Sequence, residues 1–280
     1  MTTETFPMHQ NHYIFRFAAA AALTCAAIGA QAADWSDTSM GVRWGTKFAE
    51  PYNPQDIEKT IVNFTHASGY KYGSNFLNVD FLMSDGKDSN AQEIYVVYRH
   101  TLDLGKVTGK SFAFGPVKGL GLTAGFDVNT KNDDNYASKK RMVVAGPTFM
   151  IDVPAGFLNV GVYALWESNK PRGITERYTY DTHPMLNLAW GIPVGSTGLS
   201  FEGFLNYIGD KGKNEFGGPT SPETNLDMTL FYDVSPHIGA GKNAFRVGVG
   251  YQYWRNKFGN PHAVPGSLAK TPMLRADFHF

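Results

Sequence analysis

The sequence predicts an all-β protein: a closed, antiparallel transmembrane β-barrel of about twelve strands with both termini periplasmic. Three observations predict it. Every second residue is apolar in about twelve segments spread from end to end, which is the strand period. Polar, longer connections alternate with mostly shorter turns, the layout of an outer-membrane barrel. The chain also opens on an export leader and closes on the alternating stretch "TPMLRADFHF", which ends in Phe280.

Residues 1–32 read as the leader. Arg16 precedes the apolar run Phe17 to Ala30, and Ala30, Gln31 and Ala32 supply a small-residue cleavage site. Residues 33–280 are then one barrel domain. The single cysteine, Cys25, leaves with the leader, so disulfides do not stabilise the mature chain.

The segments follow in order. In "MGVRWGTKF" (Met40 to Phe48), Val42, Trp44 and Phe48 form one face and Arg43 and Lys47 the other. Thr60 to Ala67 sets Val62 and Phe64 against Asn63 and Thr65. Asn75 to Met83 sets Leu77, Val79 and Phe81 against Asn78 and Asp80, and Glu93 to Leu102 sets Ile94, Val96 and Tyr98 against Tyr95 and Arg99. Lys118 to Asn129 carries Leu120, Leu122, Ala124, Phe126 and Val128 opposite Gly121, Thr123, Gly125 and Asp127. Lys139 to Asp152 is ambiguous in phase, with Arg141 taken inward. Gly156 to Ser168 sets Leu158, Val160, Val162, Ala164 and Trp166 against Asn159, Gly161, Tyr163 and Glu167. Tyr178 to Ile192, Leu199 to Ile208, Thr224 to Val234, Phe245 to Asn256 and Thr271 to Phe280 complete the set.

The longer connections fall at residues 50–58, 84–92, 130–138, 169–177, 209–223 and 258–270. Short turns lie between them, and 105–117 is a long exception on the short side. A soluble β-sandwich also alternates, but here nearly every strand has an apolar face and charges stand at mid-strand positions of the other. In a bilayer every backbone polar group must be paired internally, so a closed barrel with apolar residues towards lipid satisfies this pattern.

The opposite faces define the expected lumen: Lys47, Asn63, Asn78, Asp80, Tyr95, Arg99, Asp127, Asn159, Tyr163, Glu167, Asp181, His183, Asn187, Glu202, Phe204, Asn206, Asn225, Asp227, Phe231, Arg246, Gln252, Trp254, Arg275 and Asp277. Both charge signs occur, amides offer donors and acceptors, and the rings offer stacking faces. A narrow pore of this kind suits a small, neutral, ring-bearing solute. The balance of 25 basic and 25 acidic residues argues against nucleic acid as a partner.

The order of motifs resembles the Tsx-type nucleoside-specific channel family, which includes porin-like phage receptors. The resemblance rests on "GVRWGTKFAEP", "YRHTLDL" followed by "FAFGPVKGLGLTAGFDVN", "MIDVPAGFLNVGVYALWE", "LSFEGFLNYIGD" and the terminal "ADFHF". It covers Gly41 to Phe280 and implies a twelve-stranded outer-membrane barrel passing nucleosides by passive diffusion. The terminal Phe278 and Phe280 resemble the assembly signal read by the barrel-assembly machinery. Expected partners are therefore outer-membrane lipid, that machinery, nucleosides or similar solutes and, through the loops, a phage; the expected state is a monomer.

Three other readings compete with this one. A differently selective or general porin would have the same faces. An outer-membrane hydrolase needs a nucleophile motif, and none surrounds His66, His100, His183, His237, His262 or His279. A structural barrel with a plugged lumen accommodates mixed interior charges equally well. "GLGLTAG" lacks dinucleotide-loop spacing, and neither a cofactor motif nor a metal cluster is found. "SDGKDSN" (Ser84 to Asn90) is read as a solvated acidic loop.

Overall fold

Period-two alternation becomes strand along most of residues 33–280, the part of the chain that the computed structural model describes. The leader expected at residues 1–32 lies outside these described residues. The strands are β1 (Trp35–Glu50), β2 (Asn53–Tyr70), β3 (Gly73–Ser84), β4 (Gln92–Asp103), β5 (Val117–Lys131), β6 (Arg141–Ile151), β7 (Phe157–Asn169), β8 (Tyr178–Thr179), β9 (His183–Pro193), β10 (Leu199–Ile208), β11 (Glu223–Asp233), β12 (Phe245–Arg255) and β13 (Leu268–His279). All pairings are antiparallel, and all but two join neighbours in sequence; the two-residue β8 is a side pair on β7. β7 continues instead to β9. β1 pairs with β13, from Ser39 with His279 to Trp44 with Leu274. That contact closes twelve strands into a ring without a free edge, and the barrel fold is as the alternation predicts.

The outer wall is apolar because strand pleating sends alternate side chains there. Val42, Phe81, Ile94, Leu122, Val143, Val162, Leu230, Val249 and Leu274 are all exposed on it. Aromatic rings stand towards both ends of this band: Trp44, Trp166 and Tyr207 at the loop end, Trp35 and Tyr232 at the turn end. An exposed apolar belt all round a closed barrel, with aromatic girdles, is the surface of an outer-membrane protein. No helix among the described residues is long and apolar enough to cross a membrane.

Two sequence expectations change here. Residues 50–58 form a two-residue turn, Pro51–Tyr52, after which β2 begins at once. β1 and β2 are 16 and 18 residues long, beyond the roughly 9–11 that a tilted strand needs to cross a bilayer. Their ladder continues into the polar zone, where no apolar face is required. The expected single segment Tyr178 to Ile192 is broken at 180–182, because Tyr180 N–H donates to the Glu167 carbonyl (3.0 Å) and Asp181 N–H to the Lys211 carbonyl (3.2 Å). The long exception on the turn side holds a five-residue helix, α1 (Leu104–Thr108), capped by the Asp103 carboxylate at Lys106 N–H and by Gly109.

Candidate channel lumen

The interior face carries two tiers of charge. The arginine tier occupies the strand interiors. Arg43 on β1 pairs with Asp80 on β3, Arg99 on β4 with Asp127 on β5, and Arg275 on β13 with Asp227 on β11. Arg246 on β12 bonds Glu202 on β10 and lies 3.4 Å from Asp277, with its guanidinium 4.5 Å from the Phe231 ring centre. The amides reinforce the carboxylates: Asn78 donates to Asp80 at 2.9 Å and accepts from Thr65 at 2.8 Å. Tyr95 donates to Asp127 at 3.2 Å. Tyr163 is linked to Thr148 at 2.8 Å, with its ring lying over Gly161, where any larger side chain would collide with it.

The lysine tier lies at the loop end. Lys59 (β2) bonds Glu50 at 2.6 Å, and Lys131 bonds Asp88 at 2.9 Å. Lys257, from the 256–267 connection, reaches Glu50 at 3.1 Å and the Ala49 carbonyl at 2.7 Å. On the opposite wall, Glu167 of β7 receives Lys211 at 2.8 Å and Lys140 at 3.0 Å, with His183 at 4.0 Å. Trp254 Nε1 donates to Glu223 at 2.6 Å. A channel wall facing open water is accessible to it, yet Lys59 is only 2% exposed and Glu167 3%. At this level the cross-section is filled by side chains.

The surroundings set the proton affinities of the connecting segments. Burial lowers Lys211 and Lys257 below the usual lysine range, against the pull of Glu167 and Glu50 respectively. Lys140 is also buried, but attraction to Glu167 and then Glu223 overrides desolvation, and it is raised. Burial and neighbouring negative charge, Glu215 foremost for Tyr136, push the Tyr136 and Tyr180 phenols well above the usual phenol range. Both phenols donate to Glu215, Tyr180 at 2.6 Å. Above the lysine tier opens a vestibule of about 670 Å³. Tyr136, Tyr180, Phe216 and Phe258 supply its rings, and Asn53, Asn135, Asn214 and Asn260 its amides.

Most of the sequence-derived interior set occupies the inward phase: Asn63, Asn78, Asp80, Tyr95, Arg99, Asp127, Asn159, Tyr163, Glu167, His183, Asn187, Glu202, Phe204, Asn206, Asn225, Asp227, Phe231, Arg246, Gln252, Trp254, Arg275 and Asp277. Asn187 and Asn206 bond each other at 2.7 Å. Three expectations fail. Lys47 is exposed on the outer side and Phe48 is buried inside, 3% exposed, because the β1–β2 register shifts between Gly45 and Phe48. One extra residue in a bulge exchanges the two faces beyond it. Asp181 is exposed in the break between β8 and β9, beside Gly212, rather than on a strand. Arg141 faces outward at the rim, while Met142 and Val144 are buried inside against Tyr163 and Leu165.

The expected lumen omitted Arg43, although it stands on the polar face of its segment, and it omitted the lysine tier apart from Glu167, His183 and Trp254. Asp88 illustrates why. It sits in "SDGKDSN", read as a solvated loop, yet it is buried and takes bonds from Ser84 at 2.8 Å and from Lys131. The polar run conceals a one-turn helix, Gly86–Asp88, that turns Asp88 inward.

No family model and no curated protein matches the sequence. Among solved structures, the chain is similar to the KdgM porin at 10% identity, with 86% of this chain and 99% of that one covered and a TM-score of 0.43. It is similar to an outer-membrane channel from Pseudomonas putida F1 at 13% identity, covering 89% and 97%, with a TM-score of 0.46. A third is the translocator domain of the autotransporter NalP from Neisseria meningitidis, at 12% identity over 95% and 98% with a TM-score of 0.41. The likeness is one of barrel to barrel.

Proposed function

We propose that the barrel is an outer-membrane channel for passive diffusion of small neutral ring-bearing solutes, nucleosides first among them. The observation that carries this reading is the state of the interior polar groups. Each lysine and arginine of the two tiers has a carboxylate partner, so no uncompensated positive field draws bulk anions. The accessible polar groups are those of the vestibule, where the amides of Asn53, Asn135, Asn214 and Asn260 suit the hydroxyls of a sugar and the rings of Tyr136, Tyr180, Phe216 and Phe258 suit a base. Weak, successive sites are what conduction requires.

The stacked rings of Phe278 and Phe280, 6.2 Å apart and both exposed on the outer wall, support their reading as the assembly signal. The expected surroundings are outer-membrane lipid and a monomeric barrel. Single-channel recording in planar bilayers tests the solute class: a nucleoside blocks the current and a sugar of similar mass does not. Equal block by both would leave a general porin. The filled lysine tier favours a second reading, a structural barrel with a closed lumen, for which no current would flow.

A further inference from the structure

The cross-section at the lysine tier is filled partly from the wall and partly from two loops. Lys59 and Lys131 belong to barrel strands, but Lys211 and Lys257 come from the β10–β11 and β12–β13 connections, residues 209–222 and 256–267. Their carboxylates sit on β7 and β1, which lie six strands apart in either direction round the ring and so face each other across the lumen. The two loops are joined to one another. Ser221 N–H donates to the Gly259 carbonyl at 2.9 Å, and Asn256 Nδ2 donates to the Pro222 carbonyl at 2.7 Å. A Cβ added at Gly259 would lie 3.0 Å from Lys211 Cε, so the loops touch at the ammonium end of one lysine. Lys211 and Lys257 also lie over rings, at 4.4 Å from the Tyr180 centre and 4.6 Å from that of Trp254.

Two features suggest a unit that can leave its seat. The turn carrying Lys257 has positive φ at Asn256 (51°), Phe258 (60°) and Gly259 (80°), and such conformations outside glycine persist only when contacts hold them. Each wall carboxylate also keeps a partner outside these two loops: Glu50 has Lys59 of β2, and Glu167 has Lys140, which lies immediately before β6. Withdrawal of the loop lysines therefore leaves no bare buried carboxylate.

We propose that the 209–222 and 256–267 loops form one inward-folded plug that closes the loop end of the lumen, clasped to opposite walls by Lys211 on Glu167 and Lys257 on Glu50. Glu215, held by Tyr136 and Tyr180, is its third anchor. This rests on the channel reading above. The test compares wild type with K211M/K257M in planar bilayers, after a mobility shift on boiling shows that each barrel is folded. Lys→Met keeps the stem that packs on the rings and removes the clasp.

A lock supplies the second measurement. A Cβ at Gly212 would lie 3.6 Å from Asp181 Cβ, within disulfide range, and the only native cysteine is Cys25. G212C/D181C therefore tethers the plug to the 180–182 segment; because Gly212 has φ +78°, strained for cysteine, the reduced form of the same variant is the reference for the lock. The expected result is a several-fold larger conductance or open time in K211M/K257M, cancelled by the oxidised lock and restored by reductant. Wild-type current that is unchanged in K211M/K257M overturns the clasp. A rise that the oxidised lock does not cancel overturns the movement of the 209–222 loop. Absence of current from folded wild type, K211M/K257M and a chain with 209–222 shortened overturns the channel reading itself and the plug with it.

Discussion

Replacing Val249 with arginine tests the membrane face most directly. Val249 lies near the middle of β12, is 60% exposed, and stands between Leu230 and Leu274 on the neighbouring strands. If this wall faces hydrocarbon, an arginine at mid-depth costs about 2–4 kcal/mol, falling to about 0–1 kcal/mol near the interface. The mid-depth cost is about a 30- to 800-fold shift towards the unfolded chain. Phe278 is one residue from the end of β13, so F278R belongs at the interfacial end of that range. Unfolding by denaturant from lipid vesicles, followed by tryptophan fluorescence, measures both. V249R should be the more costly by about 1 kcal/mol or more. On a water-facing barrel V249R would stay within about 0.5 kcal/mol of wild type. That result, or equal costs for the two variants, refutes the lipid-facing assignment.

The bulge in β1 gives a sharp contrast between near neighbours. R43M strands Asp80 in the interior with only an amide beside it and should cost about 3–5 kcal/mol, whereas K47A, on the outer side, should stay within about 0.5 kcal/mol; the temperature of the boiling mobility shift reads both, and equal shifts would contradict the register. The Tyr136 and Tyr180 phenols are raised in the folded protein, so the stability they contribute as donors to Glu215 is complete below the ordinary phenol pKa of about 10 and is lost as pH climbs through their raised values. In an ultraviolet phenolate titration, Y136F/Y180F should therefore remove no amplitude from the wave near that ordinary pKa, and a loss there would show both phenols to be solvated.

Period-two alternation made the strands and most of their faces legible. Side-chain phase is a strictly local property until the ladder slips, which explains both the success at Gly156 to Ser168 and the failure at Lys47. A bulge adds one residue without altering composition, so Phe48 reads as lipid-facing although it packs with Ile57, Ile61 and Met273 inside. The arginine tier was largely visible because its members stand at mid-strand, where an unpaired charge would be out of place. The lysine tier was not. Its members sit at strand ends and in loops, where charges are ordinarily solvated, and their partners are remote: Lys257 and Glu50 are separated by 207 positions. Only closure of the ring brings them together.

The seam between β1 and β13 also imposes an order on biogenesis. Each neighbouring hairpin can form as soon as its two strands exist, but the last ladder joins opposite ends of the chain, down to Phe280 N–H donating to the Thr38 carbonyl at 2.9 Å. Contacts of such sequence separation are slow to form. Until the final residues are synthesised and exported, the nascent sheet has two open edges, at β1 and at its newest strand, each a template for pairing with another chain. A chain interrupted anywhere before its last strand is thus not a slightly smaller barrel but an adhesive ribbon. The interval before sealing is the period in which the open sheet is most exposed to wrong pairing.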